Sequence, residues 1–192
     1  MENLFFFLFR TFIDFVSIVL VLRLIAARFI STSNPIHQFI ILFTNPIIKP
    51  FSSRLLKQSS FEIILISLVL LIELFGLWFM MTFQCLTGPS FLQLIGLSLM
   101  NVIILVLRIF LFSILAHAIL SWFNPNYYSP AIRFIGELVS PILKPIQKRM
   151  PYLSGLDISP LISIVIIQSI IMIIPVDSAL TGIVCTNLSK II

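Results

Sequence analysis

The sequence contains few charged residues. Asp, Glu, Lys and Arg make up 10% of 192 residues, and only seven of these residues are acidic. Such a chain has too little polar surface to cover a water-soluble globule. Its six glycines form no phosphate-binding loop, and no nucleophile–base arrangement or metal-ligand spacing is present. We therefore expect neither an enzyme nor a protein with a cofactor or metal.

Apolar residues, by contrast, make up 59% of the chain and occur in long runs. A helix that crosses the hydrocarbon of a bilayer needs about 20 apolar residues. Four runs are candidate spans, the last being short: about Leu4 to Arg23, Phe61 to Met81, Phe91 or Leu94 to Leu120, and Ile158 to Ile174. The acidic residue ahead of the first run and the charge inside it argue against a cleaved signal peptide, so we interpret the run as a retained span.

Basic residues predict the orientation of these spans. They concentrate in the links between spans one and two and between spans three and four, namely Arg28, Lys49, Arg54 and Lys57, and Arg133, Lys144, Lys148 and Arg149. The link from Thr82 to Ser90 carries no charge. The positive-inside rule places both long links in the cytoplasm and both termini outside, in the periplasm. The basic links suit anionic lipid headgroups, whereas a nucleic-acid surface would need interleaved aromatic residues.

Two segments of the chain match in register. NPIHQFIILFTNPIIKPFSSR begins at Asn34, and a shift of 95 positions aligns its prolines and basic residues with those that follow Ser129. This predicts an internal duplication, with repeats at 1–82 and 83–192. Each repeat would hold two spans, so the copies would have the same orientation. The expected fold is an all-α membrane protein of four transmembrane helices in two parallel repeats.

Each long link is expected to hold a short helix. Asn34-Pro35 and Ser129-Pro130 have the form of an N-cap followed by proline at the first helical position. Asn45-Pro46 and Ser140-Pro141 should end these helices, because the residue before proline is disfavoured in a helix. About ten amphipathic residues cannot cross a bilayer, so we expect them to lie in its interface.

A P-x-x-K-P motif follows in each link. The motifs and the arginines after them are the candidate contacts for a lipid or a protein partner: Pro46, Lys49, Pro50 and Arg54, and Pro141, Lys144, Pro145 and Arg149. Proline stiffens such a segment and holds its lysine at headgroup level. The motif is then either a rigid connector with an anchoring cation or a preformed site for a lipid phosphate or a partner carboxylate.

Four charges lie inside the candidate spans. Arg10 and Asp14 are one helical turn apart and can neutralise each other. Glu73 and Arg108 lie near the middle of spans two and three. Charges in lipid need a partner or water, so we predict a Glu73–Arg108 link with Asp14 as the competing acid. A proton or ion path is the alternative to such a pair.

The sequence also makes predictions for two other pairs of residues, one of cations and one of cysteines. His117 aligns with Arg23 when one residue of difference is allowed, which indicates a cation near the inner interface rather than a metal ligand. Cys85 and Cys185 would both lie outside the cytoplasm, where a disulfide is permitted. We expect free thiols, because the course of the last residues is open.

Three motifs together resemble the YggT (YlmG-like) family of integral membrane proteins: LSWFNPN from Leu120, SPILKPIQKRMP from Ser140, and SGLDISP from Ser154. The resemblance implies a bacterial inner-membrane protein with two YggT repeats and no settled biochemistry. It adds Asp157 of the last motif to the candidate contacts. A stabilising effect of Asp157 ahead of a helix explains the residue equally well. The first repeat lacks this last motif.

Two classes of function remain. The protein is either a non-catalytic assembly or scaffold factor, whose cytoplasmic basic elements bind lipids and an unidentified membrane or cytoplasmic protein, or a small oligomeric channel. In a channel, a homo-oligomer would line a path with Asp14, Glu73 and Arg108. We favour the scaffold factor, because four helices leave little room for a gated pore.

Overall fold

The computed structural model describes residues 2–52, 58–85, 89–123, 129–149 and 158–176. These residues form six α-helices: α1 (Glu2–Phe29), α2 (Pro35–Ser52), α3 (Gln58–Gln84), α4 (Phe91–Phe123), α5 (Pro130–Gln147) and α6 (Ser159–Ile173). The predicted all-helical fold class is confirmed.

Three of the described helices are long and apolar enough to cross a bilayer. The qualifying segments are Leu4–Phe29, Phe61–Phe83 and Phe91–Ser121. Their outer surfaces carry large apolar side chains, including Phe12, Leu71 and Phe112, each more than 60% exposed. Water would not support such a surface, whereas lipid would, so these helices are compatible with a membrane protein.

Helix α6 corresponds to the fourth predicted span. It has 15 residues, which at 1.5 Å per residue gives about 22 Å. The hydrocarbon core of a bilayer is about 30 Å thick. The described part of the chain therefore has three helices of spanning length, with α6 shorter than the thickness of that core.

The chain divides into two compact units. The first comprises Met1–Val21, Ile48–Leu105 and Ile174–Ile192. Within it α1 and α3 approach closely, since a Cβ atom added to Gly76 would lie 3.0 Å from Ile13 Cγ2. Buried side chains of α1, α3 and α4 form its core, including Leu20, Leu65, Leu77 and Leu97.

The second unit comprises Leu22–Ile47 and Val106–Ile173. Its core is a cluster of buried apolar side chains from three helices: Ile114 of α4, Val139 and Leu143 of α5, and Ile167 of α6. Helix α5 turns its charged residues away from this cluster, so its two faces differ sharply in polarity.

Both predicted N-caps are confirmed. Helices α2 and α5 begin at Pro35 and Pro130. Asn34 Oδ1 accepts a hydrogen bond from the Ile36 amide at 3.0 Å, and the Ser129 side chain accepts one from Ile132. Asn34 Nδ2 also donates to the Pro130 carbonyl at 3.1 Å. The two helices therefore begin side by side within the second unit.

The predicted helix ends at Asn45-Pro46 and Ser140-Pro141 are wrong. Helix α5 continues through Pro141 and Pro145. A proline inside a helix costs about 3 kcal/mol, but burying one large apolar side chain stabilises by about 1.5–3 kcal/mol. Helix α5 buries four: Phe134, Leu138, Val139 and Leu143. Tertiary burial thus offsets the local preference.

Helix α2 also continues through Pro46, and it is bonded to α1 just before this proline. The buried Arg23 of α1 reaches the turn before this proline, where Nη1 donates to the Ile41 carbonyl at 3.1 Å and also to Thr44 Oγ1. Nη2 donates to Asn45 Oδ1 at 3.0 Å. These hydrogen bonds hold α1 to the turn of α2 that precedes Pro46.

Helix α2 turns its apolar residues outward. Phe39, Leu42 and Phe43 are at least half exposed, whereas His37 and Thr44 are buried. This polarity is the reverse of that of α5. The helix has 18 residues instead of the ten or so expected for a short interfacial helix.

The carboxylate of Glu137 joins α5 to the residues before α2, and this predicts a pH-dependent stability. Glu137 accepts hydrogen bonds from Arg133 Nε at 2.9 Å and from the Ser31 amide at 3.0 Å. The Arg133 hydrogen bond, followed by the Ser31 amide, lowers the pKa of Glu137 from 4.5. A lowered carboxyl pKa contributes stability above the unfolded-state pKa, and this contribution is lost as the pH falls through the folded-state pKa.

We therefore expect Glu137→Gln to lower the melting temperature at neutral pH, with a difference from wild type that disappears in acid below 4.5. Thermal unfolding across a pH series would measure this difference. Glu62→Gln is a matched control that removes a carboxylate from α3. A Glu137→Gln deficit that persists unchanged in acid would contradict the assignment.

Candidate functional site

The first unit contains a buried cluster of charged residues. Arg10 lies between two carboxylates, with Nη2 3.2 Å from Asp14 Oδ1 and Nη1 3.3 Å from Glu73 Oε2. Ser17 Oγ donates to the other Glu73 oxygen at 2.8 Å. Glu73 is only 2% exposed. Both of its oxygens therefore have donors, as a buried carboxylate requires.

The expected Arg10–Asp14 pair is confirmed, but the predicted Glu73–Arg108 link is wrong because Glu73 pairs with Arg10. Arg10 lies six residues into its span, a depth of about 9 Å. Glu73 lies eight residues from the end of its predicted span at Met81, a depth of about 12 Å, so a comparison of depths from the ends predicted to lie outside could have selected Arg10. Sequence reasoning missed Ser17. Its position two turns after Arg10, on the same face of the helix, was an available signal.

Arg108 belongs to the second unit. It is exposed on α4 and forms no ion pair with another residue that the structure describes. It lies within Phe91–Ser121, a segment of spanning length. An arginine there needs a partner or water from outside the described chain, because a charge in hydrocarbon is costly.

A cationic groove lies in the second unit. The groove has a volume of about 530 Å³ and is lined by Phe29 together with α5 and the two residues after it: Ser140, Pro141, Lys144, Pro145, Lys148 and Arg149. Lys144, Lys148 and Arg149 are exposed. No carboxylate lies among the lining residues. Four residues predicted as contacts from the second P-x-x-K-P motif are therefore brought together here.

The other predicted contacts have different outcomes. Pro46 is exposed on α2, while Lys49 and Pro50 belong to the last turns of that helix. Arg54 and Asp157 lie outside the described residues. The structure therefore defines such a groove only at the second P-x-x-K-P motif.

Sequence reasoning missed Phe29 and Ser140 as parts of this groove, and it treated Lys148 only as a topological charge. The spacing of Lys144 and Lys148 was an available signal, since residues four apart share a helix face. That signal was lost because the helix was expected to end at Pro141. Phe29 comes from another helix, so no local pattern identifies it.

The structure also describes two residues that carried smaller predictions, Cys85 and His117. Cys85 is disulfide-bonded, so the expectation of a free thiol at this residue is wrong. Cys185 lies outside the described residues. His117 lies against α5, since a Cβ atom added to Gly136 would be 3.9 Å from its imidazole ring. Among the residues that the structure describes, no group of His, Cys, Asp and Glu could hold a metal ion.

The charge cluster predicts an energetic coupling between Arg10 and Glu73. Removing Arg10 leaves Glu73 buried without a counter-charge, and removing Glu73 leaves Arg10 with Asp14 alone. Removing both avoids the cost of an unpaired Glu73. The double change Arg10→Gln/Glu73→Gln should therefore be less destabilising than the sum of the single changes, by about 0.5–3 kcal/mol. Chemical unfolding in mixed micelles would measure the free energy of unfolding of the wild type, the two single variants and the double variant.

The matched control combines Glu73→Gln with Arg108→Gln. The changes in the free energy of unfolding caused by these two substitutions should add to within about 0.5 kcal/mol, as for residues without shared contacts. If Arg108 proved coupled to Glu73 and Arg10 did not, the ion pair described above would be refuted.

Comparisons with known proteins agree with the resemblance in the sequence. A model of the family described as CCB3/YggT matches residues 96–177. The uncharacterized protein PA0392 of Pseudomonas aeruginosa is 29% identical over 164 residues, covering 84% of this chain and 82% of that protein. YggT of Escherichia coli, also uncharacterized, is 28% identical over 168 residues, covering 86% of each chain.

A shorter relative is more similar still. The uncharacterized protein ycf19 of Guillardia theta is 33% identical over 69 residues, which cover 35% of this chain and 76% of that protein. No solved structure matches the chain. With the family model and these relatives in agreement, and with an all-helical fold that has three helices of spanning length, the chain belongs to the CCB3/YggT family.

Proposed function

We propose that this protein is a non-catalytic assembly or scaffold factor of the bacterial inner membrane, acting through basic elements on its cytoplasmic face. The observation that carries this proposal is that the charges of the protein fall into two groups, one paired inside the protein and one exposed. Arg10 and Glu73 neutralise each other inside the first unit, whereas Lys144, Lys148 and Arg149 surround an open groove without an acidic neighbour in its lining. The cations around the groove therefore remain available to a ligand.

The proposal includes four spans in two parallel repeats, with both termini in the periplasm. Corresponding contacts support the repeat. Arg23 donates to α2 at the Ile41 carbonyl, while His117 lies against α5 at Gly136, and positions 41 and 136 correspond in the register of 95. The disulfide at Cys85 supports a periplasmic outer link, since disulfides persist in oxidising compartments.

This topology predicts the same cellular side for the two P-x-x-K-P motifs. Reporter fusions after residues 50 and 145 should both report the cytoplasm, because the positive-inside rule retains both basic links there. A fusion after Ser90 is the matched control and should report the periplasm. Opposite sides for residues 50 and 145 would refute the parallel repeat.

The scaffold role predicts a specific protein contact at the α5 groove. A photo-crosslinking residue at Pro145, exposed in the groove, should capture a discrete protein in living cells. Lys144→Gln/Arg149→Gln should weaken this capture severalfold, because recruitment of the partner depends on the positive charge of the groove. Ala131, exposed at the start of the same helix, is the control position and should give no such product. Equal capture from both positions would count against a specific contact.

A second candidate function is a small oligomeric channel. The exposure of Arg108 within a helix of spanning length favours it, because intramembrane charges commonly line water-filled paths. Purified protein in liposomes distinguishes the two functions. A scaffold gives no solute flux above empty vesicles, whereas flux that Arg108→Gln abolishes would establish the channel and overturn our proposal.

A further inference from the structure

The groove at the end of α5 combines three cations with an apolar wall. Lys144 lies in the last turn of α5, Lys148 is the C-cap four residues further on, and Arg149 follows directly. Phe29 and two prolines supply the remaining surface together with Ser140. This combination of positive and apolar groups matches an amphiphilic anion better than a simple inorganic ion.

The charges of the three cations are not neutralised by any residue that the structure describes. None of them forms an ion pair with another described residue, whereas Arg10 and Arg133 do. The C-terminal end of a helix attracts cations, but its dipole corresponds to about half an elementary charge. Three full charges exceed that by a factor of about six, so a net positive field remains over the groove.

The groove is also preformed. Helix α5 is held by burial of Leu138, Val139 and Leu143 on its opposite face, so its cations project from a fixed support. The volume of about 530 Å³ falls within the usual range for small-molecule sites, about 300–1,000 Å³. A ligand therefore does not have to order the backbone that binds it.

Phe29 indicates where this ligand comes from. It is the last residue of Leu4–Phe29, a helix segment of spanning length, and the ends of such helices lie near the lipid headgroups. It is 45% exposed. At that level, the cations of the groove can contact a lipid headgroup while its exposed aromatic wall contacts the acyl chain. An acidic peptide would need the cations but not the aromatic wall.

We infer that this groove binds an anionic phospholipid, with Lys144, Lys148 and Arg149 contacting its phosphate and Phe29 the start of an acyl chain. The inference rests on the proposed function and names one ligand of its basic element. Basic pockets beside transmembrane helices are a recognised setting for such headgroups.

Native mass spectrometry of the full-length protein can test this by titration with phosphatidylglycerol in a phosphatidylcholine background. One cation near a membrane surface changes affinity by about fivefold. Lys144→Gln and Lys148→Gln should each weaken phosphatidylglycerol binding by about that factor, and the double variant by about thirtyfold. Phosphatidylcholine binding should not change. The matched control is Arg133→Gln, an exposed cation of the same helix outside the groove, with an expected change of less than twofold.

Three outcomes would overturn the inference. Equal losses in Lys144→Gln and Arg133→Gln would mean that only overall charge attracts the lipid. Full competition by inorganic phosphate at the lipid's own concentration would mean that the site takes free phosphate. Displacement of the lipid by a polyglutamate peptide at lower concentration would mean that the groove is built for an acidic protein segment. If lipid binding fails while crosslinking from Pro145 persists, the scaffold proposal stands and only its ligand is wrong.

Discussion

A polar or charged group inside an apolar helix bundle must find its partner within the protein, and this constraint explains most of the structure. In the first unit it brings Arg10, Asp14, Ser17 and Glu73 together. In the second it directs the buried Arg23 to the carbonyl and side-chain oxygens of α2. Each cluster joins α1 to another helix, because the desolvation cost of a buried charge falls only when specific donors and acceptors meet.

The same constraint gives the two proline-rich helices their different surroundings. Helix α2 exposes Phe39 and Leu42 and buries Thr44 beneath Arg23, so its polar contacts lie inside the protein. Helix α5 buries Leu138 and Leu143 and exposes its cations. Two segments with similar sequence patterns thus differ in their surroundings, since the polar contacts of α2 lie inside the protein and the cations of α5 lie on its surface.

This separation connects the fold to the proposed function. Neutralised charges such as Glu73 stabilise helix packing, whereas unneutralised cations such as Lys148 exert a field on their surroundings. An assembly factor needs both a rigid helical body and a surface that attracts anions. The groove at α5 meets the second requirement, and the apolar core of Ile114, Val139 and Ile167 behind it meets the first.

Composition and periodicity by themselves determined the helical class, the long apolar helices and the N-caps at Asn34 and Ser129, because hydrophobic length and capping are local properties of the chain. Only the tertiary structure decided that α2 and α5 continue through their prolines, that Glu73 pairs with Arg10, and that Phe29 lies beside Lys144. Each of these depends on burial or a counter-charge supplied by another helix. The conformational preference of the residue before a proline is a local effect, and contacts with another helix outweigh it. Those contacts cannot be read from a window of neighbouring residues in the sequence.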